Sequence, residues 1–228
     1  TPLMVFSMQG RIDGVSYLLS RGEDVGEVDE DGWTALMWAA KYGASDACRL
    51  LIEYGADLFH QGNEGKTPLL LATSEGHIYT ALFLLEKGAD LDTRDCYQMT
   101  PMMYSSFRGH LKMLNFLLEK GAPIEDRDMY GWTALMWAVE YGRLKVVIKL
   151  LEKGGNVNAV GNDGRSSLIW AAIQGNTEML ITLLEYNADP IIRDSWSKTA
   201  FFYAIENHHH DCARILRIFR QVKKIKSL

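Results

Sequence analysis

The sequence predicts an all-α repeat solenoid of helix-turn-helix units joined by β-hairpin-like loops, and three observations predict it. Steps of 33 residues from Thr1 land on Thr34, Thr67, Thr100, Thr133, Ser166 and Thr199, each opening a variant of one phrase, such as Thr34-Ala35-Leu36 or Thr67-Pro68-Leu69. Nine residues after the anchors stand Gly10, Gly43, Gly76, Gly109, Gly142 and Gly175, with His208 in the last place. Apolar residues then recur at helical spacing, as in Leu114/Leu117/Leu118 and Val147/Leu150/Leu151. A repeat of this size cannot bury its apolar face alone, so the expectation is one cooperative array over residues 1–228. Its units start near 1, 34, 67, 100, 133, 166 and 199, the last acting as a C-terminal cap.

Within each unit the opening phrase starts a short helix. Pro2, Pro68 and Pro101 suit its first turn, where their missing N–H has no helical partner. Small residues follow, as in Ala39-Ala40 and Ala171-Ala172, and let two helices approach closely. The glycine stops this helix through a left-handed conformation. A second, amphipathic helix ends at Gly22, Gly55, Gly88, Gly121 or Gly154. Polar hairpins such as Asp128-Met129-Tyr130-Gly131-Trp132 lead into the next unit.

Phrase and period together resemble the ankyrin repeat, over essentially the whole chain as six full units and a shortened seventh. One departure is systematic. The family's usual His after Thr-Pro-Leu is Met4, Met37, Leu70, Met103, Met136, Ile169 and Phe202 here, which predicts an apolar seam between repeats.

The net charge of −5 gives no case for nucleic acid. Three cysteines are not a disulfide framework and suit a reducing compartment; Cys48 and Cys212 fall on second helices and Cys96 in a turn. No stretch approaches the ~20 apolar residues of a membrane span, and no signal peptide is visible. Thr1 opens in mid-unit, so the chain is expected to be a domain excised from a longer protein. A monomer is expected, in the cytoplasm or the nucleus.

The main functional signal is aromatic. Positions four and eight after the anchor share one helix face. They carry Trp38 and Tyr42 in the second unit, and Trp137 and Tyr141 in the fifth. The hairpin residue just before the anchor is Trp33 or Trp132, and Tyr97, Tyr104, Tyr130, Trp170 and Trp196 occupy comparable places. Similarity to ankyrin proteins implies that these positions line a concave surface where partners dock. Trp and Tyr are also frequent interface anchors. Position four can instead pack between first helices, which leaves two readings for Trp38, Trp137 and Trp170.

Other constellations have plainer accounts. His208-His209-His210 with Cys212 has zinc-ligand types, but lacks a second paired element and reads as a repeat turn. Arg214, Arg217, Arg220, Lys223, Lys224 and Lys226 complement a C-terminal helix dipole and cap the stack. The recurring hairpin Asp is a turn residue, replaced by Gly at Gly62 and Gly161. No catalytic residue, metal site or cofactor is expected.

The sequence therefore reads as a non-enzymatic interaction module, binding an extended peptide or partner protein, with Arg108, Lys66 and the hairpin acids setting polarity. The alternative is a ligand-sensing regulatory domain of a larger enzyme or channel. The segment from Asp29 to Ala40 is similar to the ankyrin subunit of the RFX transcription complex and its paralogue, which bind proline- and leucine-containing linear motifs. Tyr104 matches a Tyr of that group, whereas Cys96 replaces its hairpin Trp.

Overall fold

A computed structural model describes residues 1–226, and their side chains as far as residue 219. The helices come in pairs: α1 (Pro2–Met8) and α2 (Ile12–Ser20), α3 (Ala35–Lys41) and α4 (Ser45–Glu53), α5 (Pro68–Ser74) and α6 (Ile78–Glu86), α7 (Pro101–Arg108) and α8 (Leu111–Glu119). The pairs α9 (Ala134–Glu140) and α10 (Leu144–Glu152), α11 (Ser167–Gln174) and α12 (Thr177–Glu185), α13 (Ala200–Glu206) and α14 (His210–Lys226) follow. They belong to two compact parts, Thr1–Pro123 and Ile124–Leu228.

The anchor residue explains where each first helix begins. Thr34 is extended, and its hydroxyl accepts the Met37 N–H at 3.3 Å; Thr67, Thr100, Thr133, Ser166 and Thr199 cap in the same way. A cap of this kind is worth about 1 kcal/mol. In the first part α3 packs between α1 and α5, and α5 between α3 and α7, while α2, α4, α6 and α8 form a second layer. In the second part α11 packs between α9 and α13. Ala39, Ala40, Ala171 and Ala172 are fully buried where first helices meet, as their size requires.

The apolar seam is present. Met4, Met37, Leu70, Met103, Met136 and Ile169 are all buried. Phe202 differs: it is 45 % exposed, and Phe201 and Ile205 beside it are open too, although both positions are buried in every earlier repeat. These three line a cavity of about 730 Å³ with Leu216 and Arg217.

Among the described residues no strand forms, only an isolated antiparallel bridge between Val160 and Ser166. The hairpins are turns. Gly32 and Gly131 supply the positive φ that the turn needs (72° and 74°), whereas Gln98 and Ser197 adopt it without that freedom (63° and 60°). Successive hairpins are tied by single backbone bonds, Asn63 N to Asp31 O in the first part and Asn162 N to Tyr130 O in the second, each 2.9 Å.

Histidines also tie repeats together, His60 Nε2 lying 2.8 Å from the Gly32 carbonyl of the preceding hairpin. The Nε2 atoms of His77, His110 and His209 lie 2.9, 2.9 and 3.0 Å from the carbonyls of Lys41, Ser74 and Ile173, at the end of the preceding first helix. His209 is thus engaged as a repeat residue, as its register implied, and Cys212 is buried in α14. Of the basic tail, Arg214 pairs with Asp211 at 3.0 Å and Arg217 is exposed. The side chains of Arg220, Lys223, Lys224 and Lys226 lie outside the described residues.

Candidate interaction face

The recurring hairpin acid has a second task beyond its turn. In the repeat opening at Thr34, one oxygen of Asp29 accepts the backbone N–H groups of Asp31 and Trp33, and the other accepts the Trp38 indole N–H at 2.7 Å. Asp128 does the same for Trp137 at 2.9 Å, Asp95 for the Tyr104 hydroxyl at 2.6 Å and Asp194 for the Tyr203 hydroxyl at 2.6 Å. Position four is therefore half-buried in Trp38, Tyr104 and Trp137, neither core nor free, and its polar edge is latched to the hairpin. A carboxylate acceptor makes these bonds stronger than neutral ones.

Where the acid is missing, the latch is missing too. In the register of Gly62 position four is Leu71, which has no donor, and Gly161 leaves the Trp170 indole N–H buried without a partner. The two glycines have a reason that the turn alone did not supply. A Cβ on Gly62 would lie 2.6 Å from Trp33 Cδ1, and one on Gly161 would lie 3.0 Å from Trp132 Cδ1. The hairpin Trp of one repeat thus lies on the glycine of the next. Contact with that glycine makes Trp33 and Trp132 half-buried, more enclosed than their loop positions suggested.

The rings assemble locally. In the first part Trp33 and Trp38 meet at 4.9 Å and 54°, and Trp38 stacks on Tyr42 at 6.1 Å. The Lys41 ammonium lies 4.7, 5.0 and 5.9 Å from the Trp33, Trp38 and Tyr42 centroids. An adjoining cleft of about 110 Å³ includes Lys66, Tyr104 and Arg108. Two of its cations are paired, Lys66 with Glu64 and Arg108 with Glu75 at 3.4 Å. Burial, then the hydrogen bond to Asp95, holds the Tyr104 pKa well above the usual phenol range.

In the second part Trp132 meets Trp137 at 4.9 Å and Trp170 at 5.1 Å, and Trp137 stacks on Tyr141 at 6.1 Å. Arg165 lies about 5 Å over Trp170, Trp196 and Tyr203, and its Nη2 donates to the Tyr203 hydroxyl at 3.1 Å. Burial pushes Asp194 up, but bonds from Tyr203, Lys198 N–H and Trp196 N–H and the Arg165 charge outweigh it and hold it below its ordinary value. Tyr42, Tyr97, Tyr130, Tyr141 and Trp196 are between 43 and 60 % exposed. Tyr97 and Tyr130 stand at hairpin tips, outside these ring clusters. Sequence reasoning missed Lys41, Glu140 and Arg165; their signal was register, three residues after a position-four Trp or one before an anchor.

Fold and face together define a helical-repeat module with a built aromatic surface. The family model for ankyrin repeats matches in three copies, over residues 3–95, 90–161 and 154–224. The chain belongs to the ankyrin-repeat family, whose members generally serve protein–protein interaction and are generally non-enzymatic. It is similar to the crystal structure of the human ASB11 ankyrin repeat domain, with a TM-score of 0.85 and 28 % identity over 95 % of this chain and 97 % of that one. No curated protein sequence matches. No helix among the described residues is long and apolar enough to cross a membrane.

Proposed function

We propose that this domain binds an extended peptide segment of a partner protein across the rings of its first helices and hairpins, without catalysing a reaction. One observation carries the reading: the aromatic side chains are held in place before any ligand arrives, by the Asp29, Asp95, Asp128 and Asp194 latches. Ordering a side chain on binding costs about 0.5–1.5 kcal/mol, and a latched ring has largely met that cost on folding. Tyr42, Tyr97, Tyr130, Tyr141 and Trp196 add exposed contact area. Cys96 stands exposed where the RFX-type ankyrin subunit has a Trp, so we infer a peptide specificity distinct from that group's. The cleft at Lys66 and Arg108, about 110 Å³, is small beside the roughly 300 Å³ or more of ordinary small-ligand pockets, which favours the peptide over the ligand-sensing alternative.

Selection from a proteome-derived peptide display library, repeated with Trp33→Ala and Trp132→Ala, tests the proposal. Enriched peptides that depend on these rings support it. An empty selection on folded protein, or one indifferent to both substitutions, overturns it.

A further inference from the structure

The two Trp-Trp-Tyr clusters are near copies in geometry and differ in the charged residue three positions after the position-four Trp. Trp33 and Trp38 sit 4.9 Å apart at 54°, Trp132 and Trp137 4.9 Å apart at 55°, and each position-four Trp stacks on its Tyr at 6.1 Å. In the first cluster Lys41 places its ammonium within 4.7–5.9 Å of all three ring centroids. The molecule itself thereby shows where a monocation sits on this arrangement. In the same register the second cluster has Glu140, a carboxylate in place of the ammonium.

The second cluster differs in two more ways that suit an incoming cation. Where the first has Leu71, it has Trp170, set against Trp132 at 5.1 Å and 60° and carrying Arg165 at 5.0 Å from its centroid, so two tilted indoles flank the central ring while a guanidinium already lies against the outer one. Glu140 is also positioned. The Gln174 amide donates to its Oε2 at 3.1 Å and to its backbone carbonyl at 2.7 Å, while Oε1 accepts no bond among the described residues. Burial raises the Glu140 pKa, and the Gln174 hydrogen bond partly opposes the rise.

We propose that Trp132, Trp137, Trp170 and Glu140 form a recognition site for the methylated ammonium of a lysine side chain on the bound peptide. Ring faces attract a cation, and aromatic cages favour methylated ammonium. Methyl groups suit the rings better than a bare ammonium, which is compact and strongly hydrated. The open carboxylate oxygen requires an N–H, which selects mono- and dimethyl-lysine over trimethyl-lysine. A guanidinium pairs best through two parallel bonds, and Gln174 already holds one oxygen of Glu140. This inference rests on the peptide-binding reading above and adds the chemistry of one subsite.

The test uses the ¹⁵N-labelled chain and the N-acetyl methylamides of lysine and its mono-, di- and trimethyl forms, followed through the indole N–H resonances. The expected result is saturable movement of the Trp132, Trp137 and Trp170 signals with the mono- and dimethyl probes. Unmethylated lysine should bind at least about fivefold more weakly. Trp33 and Trp38, served by Lys41, should stay still. Glu140→Gln should weaken binding several-fold in folded protein, and Lys41→Glu should make Trp33 and Trp38 respond as well. No response up to about 50 mM probe, which corresponds to negligible affinity, overturns the inference, as does equal binding of all four probes or equal response of both clusters. Peptides selected through Trp132 without any methyl-lysine preference would sink this inference and leave the peptide-binding reading standing.

Discussion

Replacing Asp128 by Ala tests the idea that the hairpin acid both closes its turn and holds the aromatic surface. Asp128 is 6 % exposed and accepts three N–H groups, from the Tyr130 and Trp132 backbones and the Trp137 indole, at 2.9, 2.8 and 2.9 Å. A hydrogen bond to a charged acceptor is worth about 1.5–3 kcal/mol, so three set a ceiling of about 4.5–9 kcal/mol. The molecule supplies its own reasons to expect less. Gly62 and Gly161 occupy the same register, and their hairpins still close, with Gly62 N donating to Lys66 O at 3.1 Å and Gly161 N to Arg165 O at 3.0 Å. Tyr130 is half exposed, so water can reach the freed backbone groups beside it. The expected loss for Asp128→Ala is therefore about 2–4 kcal/mol. Asp128→Asn keeps an oxygen for the backbone but turns an amide towards the indole, and should lose about half as much. Urea unfolding followed by far-UV circular dichroism measures both, and the near-UV signal reports the ordering of Trp137. A loss below about 0.5 kcal/mol for the Ala variant, within the range of ordinary surface changes, would refute the reasoning. So would equal losses for Ala and Asn.

Gly62→Ala should cost about 1–3 kcal/mol and perturb Trp33 fluorescence, because its Cβ would stand 2.6 Å from the ring. Gly26→Ala, with its nearest contact at 3.4 Å, should be neutral, and equal effects would count against the glycine–indole account. Tyr104 has a folded-state pKa above its unfolded value, through burial and then Asp95. Its contribution is therefore complete below about pH 10 and lost as the pH rises further. Denaturation from pH 8 to 11 should show a shallower decline for Tyr104→Phe than for the wild type; parallel curves would contradict this. Burial pushes the Cys48 thiol up to about 12 and also raises Cys212, whereas Cys96 is exposed. One thiol per native chain should react quickly with Ellman's reagent and disappear in Cys96→Ser; two fast thiols would show that a buried cysteine is accessible.

The helix pairs, their caps and the apolar seam could be read directly along the chain. A Thr at the start of a first helix caps its own N3 amide, and a glycine at positive φ ends its own helix, so local rules suffice for both. The aromatic register was legible for the same reason, since residues four apart on one helix are neighbours whatever surrounds them. Whether those rings were core or surface was not legible. Exposure of Trp38 or Trp137 depends on the aspartate nine residues earlier, which draws the indole edge into a half-buried latch.

What the sequence by itself determined was the period, the helical pairing and the aromatic face, because each follows from contacts within one 33-residue unit. Only the tertiary structure decided which hairpin Trp lies on which glycine, that Lys41 serves one ring cluster, and that Gln174 holds Glu140. Those outcomes depend on side chains brought together by the fold, some from adjacent repeats, and a ring's environment is set by the neighbour that the packing supplies.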